Sequence, residues 1–206
     1  MRRRASQTTN EKDGRELTGR GRVKGGMLKA HVRWVTDHHS PSEVEKFWEA
    51  VPEATRTAVG SFILDVSWYA FADLMAIDRA IIEVFGDGDD KLARDLGRYS
   101  AQLNLTGTYK AYRRAVAHEY CERSARVHSS FQDFGSLEYR KTGETSCEMI
   151  HSGYSSYSPL FCKSALGYYE EAITLNGGLH ASVRETTCQC RGDAACTFVL
   201  TWSEAS

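Results

Sequence analysis

The sequence predicts an α+β fold of helices packed on an antiparallel sheet, a helical first part followed by strand–strand–helix–strand–strand. Three observations lead there. Apolar residues recur at helical spacing through most of residues 41–134. Beyond that, short alternating runs are separated by Gly-containing turns, the mark of paired strands. Two Ser-Pro steps, Ser40-Pro41 and Ser158-Pro159, each put a proline at a first helical position.

Residues 1–24 hold Arg2, Arg3, Arg4, Lys12, Arg15, Arg20, Arg22 and Lys24 against Glu11, Asp13 and Glu16, with almost nothing apolar. Such a stretch cannot bury enough surface to offset its ordering entropy, so a disordered basic arm is expected. It is either a solvated leader or an arm touching phosphate or an acidic partner. Residues 25–206 read as one domain.

Gly25-Gly26 introduces residues 27–35, where alternation of Leu28, Ala30, Val32 and Trp34 predicts a strand. Ser40-Pro41-Ser42-Glu43 starts a helix with Val44, Phe47, Trp48 and Val51 on one face. Residues 54–66 are ambiguous. An amphipathic helix follows, burying Phe71, Leu74, Met75, Ile81, Ile82 and Phe85 and ending at Gly86-Asp87-Gly88. The acids of Asp87–Asp90 lack the alternation and closing glutamate of a calcium loop. They suit the first turn of a helix carrying Leu92, Leu96, Tyr99 and Leu103. Helix resumes near Thr108 and continues toward Phe134, with Tyr109, Tyr112, Val116 and Tyr120 as half-buried core.

Leu137 and Tyr139 mark one strand and Cys147, Met149 and His151 another, flanking a hairpin at Lys141–Glu144. Ser158-Pro159 opens a helix through Cys162, Leu166, Tyr169 and Ile173, closed by Asn176-Gly177-Gly178. Strands over 179–189 and 195–202 around Gly192-Asp193 complete the chain.

At 41% hydrophobic and 26% charged residues the composition is that of an ordinary globular domain. A net charge of −1 gives no reason to expect nucleic acid or an anionic membrane as partner. No run approaches the ~20 apolar residues of a membrane span. The N-terminus has no apolar signal-peptide region. Six cysteines without an export signal point to reduced thiols in the cytoplasm, which favours metal over disulfides. Gly-x-Ser-x-Gly, a phosphate loop and a dinucleotide glycine pattern are all missing from the sequence. The seven histidines are scattered, and the His38-His39 pair beside Asp37 fits a surface turn, so a non-catalytic role is expected.

The cysteines carry the sharpest signal. Glu185, Cys188, Cys190 and Cys196 crowd around Gly192-Asp193, with Cys162 upstream. Cys188 and Cys196 lie symmetrically about Gly192, so a hairpin there would face them across its strands. Glu185 and Cys162 would complete a closed tetrahedral zinc site with no vacant position for water. Buried free thiols or a disulfide remain open readings of the same spacing. Cys190, two residues from Cys188 on the same strand face, could replace Cys188 or Glu185. Cys121 and Cys147, isolated in their segments, read as core.

The spacing Cys162, Glu185-x2-Cys188 and Cys188-x7-Cys196, with Gly192-Asp193 between and Phe198 after, resembles the zinc-containing 4-vinyl reductase domain. The similar members are sensor modules of aromatic-responsive bacterial activators. The resemblance implies a structural zinc on Cys162, Glu185, Cys188 and Cys196 beside a pocket for a small apolar or aromatic molecule. It also implies a regulatory sensor, a homodimer and an unidentified protein partner. A ligand-free scaffold subunit and an enzyme of tetrapyrrole or lipid metabolism are the alternatives. The chain departs from those sensors in having no tryptophan between Trp68 and Trp202.

Overall fold

A computed structural model describes residues 15–86 and 91–204. Its centre is a four-stranded antiparallel sheet of β3 (Ser136–Gly143), β4 (Ser146–Ser152), β5 (Leu179–Thr187) and β6 (Ala195–Ser203), in the order β3-β4-β6-β5. The alternation read from the sequence has its cause in burial on one face. Cys147, Met149 and His151 of β4 point inward beside Cys196, Phe198, Leu200 and Trp202 of β6. Helix α7 (Pro159–Leu175) lies on β5 and β6, and α5 (Lys91–Thr106) packs on α7. The expected α+β fold is therefore the observed one.

Four further helices build a second core on the far side of α5. These are α1 (Gly25–His38), α2 (Pro41–Ala50), α3 (Glu53–Val59) and α4 (Phe71–Phe85). Leu28, Val35, Phe47, Phe71, Leu74, Ile77 and Leu96 meet there. The Ser40 backbone N–H donates to Glu43 Oε2 at 2.9 Å, so α2 starts where the Ser-Pro step placed it. Among the described residues no helix is long and apolar enough to cross a membrane.

Three expectations change. Residues 27–35 are helix α1, not a strand: Leu28, His31 and Val35 make a buried helical face. Its first N–H groups are capped from afar, Gly25 donating to Ser67 O at 2.9 Å and Gly26 to Asp65 O at 3.0 Å. The helix foreseen from Thr108 to Phe134 is broken into a 3-10 turn at Lys110–Tyr112, α6 (Ala117–Val127) and a second 3-10 turn at His128–Ser130. The end of α7 captures the break, because Asn176 Oδ1 accepts from the Arg114 N–H at 2.6 Å and Leu175 O accepts from Arg113 Nε at 3.1 Å.

The third concerns the basic arm. Residues 1–14 lie outside the described residues, as do Asp87–Asp90. Residues 15–24 run along the domain: Leu17 bridges Tyr157, and β1 (Arg22–Lys24) pairs with β2 (Trp68–Ala70). Val23 is fully buried, which gives the end of this polar stretch an apolar anchor.

Candidate functional site

A cavity of about 150 Å³ lies where α1, α5, α6 and α7 face one another. Met27, Leu74, Leu105, Phe131, Phe161 and Tyr168 supply much of its apolar wall. The expected half-buried tyrosines are part of it: Tyr109, Tyr112 and Tyr120 all face the space.

Two polar arrangements border the cavity. On α1, His31 Nδ1 lies 2.5 Å from Asp78 Oδ1 of α4, both residues buried. Asp78 thereby fixes the ring and leaves Nε2 as the nitrogen available to a ligand. Against the sheet, His151 is held between two phenols. Its Nδ1 is 2.8 Å from Tyr154 Oη and its Nε2 2.7 Å from Tyr169 Oη. Burial, and then His128, pushes His151 down to about 3, so the ring is neutral.

A neutral imidazole has one donor and one acceptor, and that settles the chain of protons. Tyr154 donates to Gln132 Oε1 at 2.9 Å, so its oxygen accepts from His151 Nδ1–H. His151 Nε2 then accepts from Tyr169. His128 Nε2 lies 3.2 Å from Tyr154 Oη. Burial raises both phenols well above the usual tyrosine range and keeps them protonated for these bonds.

The residues singled out in the sequence gather at the other side of this network. Cys162 stands in the first turn of α7, Glu185 on β5, Cys188 just beyond β5 and Cys196 on β6. Their ligand atoms all lie within 4.8 Å of one another. The three sulfurs form a triangle of 3.7, 3.8 and 3.9 Å. A tetrahedron with ~2.3 Å metal–sulfur bonds has edges of about 3.8 Å, so this set could hold a soft divalent ion.

The turn is not the simple hairpin expected. A 3-10 turn at Gln189–Arg191 and Gly192 at φ 97° bring the chain round, and Asp193 Oδ2 accepts from the Cys188 N–H at 2.7 Å. This places Cys190 in the interior beside the group, buried but outside the four-residue set.

Glu185 Oε2 accepts from Arg191 Nη1 at 3.0 Å, while Oε1 is buried with no hydrogen-bond partner among the described residues. Burial, then Cys188, pushes this carboxyl up to about 7. Hydrogen bonding from Cys162 lowers Cys188, and the same pairing raises Cys162. All six cysteines are free and buried.

No family model matches the chain, and no curated protein matches it. Solved structures do. An H-NOX protein from S. oneidensis in the Fe(II)NO ligation state aligns with a TM-score of 0.65 at 12% identity, covering 88% of this chain and 100% of that one. Unliganded Fe(II) H-NOX protein from K. algicida gives 0.64 at 11%, covering 89% and 98%. An oxygen-binding H-NOX domain related to soluble guanylate cyclases gives 0.62 at 15%, covering 88% and 96%.

The chain has the H-NOX fold. This corrects the resemblance to the 4-vinyl reductase domain, and with it the structural zinc inferred as cofactor. The resemblance rested on four residues in the last third, a local pattern that another domain with a tight turn at a sheet end can reproduce. The H-NOX likeness covers nearly the whole topology, and two further similar structures concern heme redox potential and heme distortion. The His31–Asp78 pair at the cavity had no sequence signature: the two are 47 positions apart, and reading α1 as a strand hid their pairing.

Proposed function

We propose that this chain is a small-molecule-binding sensor module, non-catalytic, whose ligand is a small apolar or aromatic molecule held in the cavity between α1, α5, α6 and α7. The cavity carries the reading. About 150 Å³ is the size of an engineered apolar cavity that takes up benzene, in another protein. Free cysteines throughout agree with a reducing, cytoplasmic setting. A sensor of this kind acts through a protein partner or as a homodimer, and exposed Phe62, Leu64 and Val66 ahead of β2 offer apolar surface for such a contact.

The heme of the H-NOX structures does not fit these residues. His31, backed by Asp78, does have the arrangement of a ligating imidazole. His128 and His151, however, are tied into the tyrosine network. The volume decides against the macrocycle: sites for drug-sized ligands occupy about 300–1,000 Å³, and this cavity has about 150 Å³.

Thermal unfolding in toluene-saturated buffer tests the ligand site. Binding to the native state alone raises Tm by mass action. Ala165→Leu, which puts a larger side chain into the cavity wall, should abolish that rise. No rise in the parent protein, or an equal rise in the variant, would refute the site.

Cys162, Glu185, Cys188 and Cys196 are proposed as ligands of a soft divalent metal ion, on the strength of the sulfur triangle and the orphaned Glu185 oxygen. Elemental analysis should find metal in the purified protein and lose it in Cys188→Ser. Equal metal content in the two proteins would remove these residues as ligands.

A further inference from the structure

We propose that the cavity selects an aromatic carboxylate of one ring, the ring filling the apolar space and the carboxylate resting on Arg123. This rests on the cavity being the ligand site, and it adds what the ligand must carry. Arg123 on α6 lines both the cavity and the surface groove beside it, so its side chain forms part of the wall between them. The guanidinium carbon stands 5.2 Å from the Tyr112 ring centroid, which holds its plane. Its Nε is buried with no hydrogen-bond partner among the described residues.

Among the described residues no acid pairs with this group. Glu119 and Glu122 share the outer groove, but among the described residues neither forms an ion pair with Arg123, and Glu122 is engaged by Arg126 at 3.1 Å. The cavity wall contains the cations Lys24 and Arg123 and no Asp or Glu. Lys24 is committed elsewhere: its Nζ donates to Val66 O at 2.7 Å and sits 4.0 Å from the Trp68 ring centroid.

A buried guanidinium donor without an acceptor is costly, and a carboxylate is the planar group that a guanidinium grips with two parallel bonds. Inorganic phosphate could pair with Arg123 but has no apolar body for the rest of the space. A neutral ring such as toluene would fill the space and leave Nε unpaired. The combined demand is a single ring bearing a carboxylate.

Benzoate is the probe, with toluene as its uncharged counterpart, titrated into the full chain and into Arg123→Gln. Calorimetry reads benzoate, and the Tm rise reads toluene. Benzoate should bind the parent protein, and Arg123→Gln should weaken it by about 10- to 100-fold, as expected for hydrogen bonds to a charged group. Toluene binding should stay within about twofold, since it has no use for the charge. Arg123→Lys, which keeps charge and loses the fork, should fall between and serves if the glutamine variant does not fold. Toluene binding without benzoate binding, or equal benzoate affinity in parent and variant, would overturn this proposal and leave the cavity reading standing. Binding of neither would overturn both.

Discussion

Adding one methyl group at Gly97 should destabilise this protein, although alanine is the better helix former. Gly97 lies in α5 where that helix crosses α7. A Cβ there would come within 1.9 Å of Ser164 O and 2.7 Å of Ser164 C, both backbone atoms. Ordinary contact begins near 3.4 Å, so the helices would have to part by roughly 1.5 Å, and no side chain can rotate away to avoid it. Gly167 makes the reciprocal approach from α7, where a Cβ would meet Arg94 O at 1.8 Å.

The opposing terms are of known size. Alanine gains about 0.5–1 kcal/mol over glycine inside a helix. Overpacking costs about 1–3 kcal/mol, and a backbone collision belongs at the upper end. The balance is a loss of about 2 kcal/mol, which in a domain of this size lowers Tm by about 4–8 °C. Thermal unfolding followed by far-UV circular dichroism measures it. Gly167→Ala should match it, and the double variant should lose less than the two together, because one separation of the helices relieves both clashes. An unchanged or raised Tm in Gly97→Ala would refute the close crossing.

Two further changes test other parts of the fold. Glu170 on α7 accepts from Arg94 Nε at 3.1 Å and Arg98 Nη2 at 2.7 Å, both on α5. The arginines are partly exposed, so Glu170→Gln should cost only about 1–2 kcal/mol in urea unfolding, with the deficit shrinking in high salt; a salt-independent loss would point to packing instead. His151, held down at about 3 against an ordinary 6.5, contributes stability that is complete above pH 6.5 and is lost as pH falls through about 3. The urea midpoint should therefore fall on acidification from pH 7 to 4, and less steeply in His151→Phe; parallel profiles would show that another group carries the acid sensitivity.

The half of the fold that was legible in the sequence is the half whose partners are local. β3 and β4 read correctly because β4 buries one face, Leu137 and Tyr139 of β3 are half-buried in alternation, and a short turn joins them. Helix α7 was announced by Ser158-Pro159 and closed by Asn176-Gly177-Gly178. Helix α1 misled because Leu28, Ala30, Val32 and Trp34 satisfy a period of two, while its N-terminal partners are carbonyls about 40 positions away. The break after Tyr112 depends on Asn176, again distant. Cys162, Glu185, Cys188 and Cys196 could be picked out because three of them crowd one turn. Arg123, His31 and Asn104 could not, since four helices bring them to one space.

The same crossing that makes Gly97 irreplaceable explains why a cavity exists beside it. At Gly97 and Gly167 the backbones of α5 and α7 touch. Farther along, α5 presents Ser100 and Asn104, small polar residues, while α7 presents Tyr168 and Tyr169. Asn104 spends its amide on Gly26 O at 3.1 Å and Ser100 Oγ at 3.2 Å, so it ties α5 to the start of α1 and does not reach into the space. Tyr169 is likewise held back by His151. Asn104 and Tyr169 are therefore each anchored at the wall by hydrogen bonds. A space whose polar neighbours are anchored at its wall suits the ligand site proposed above.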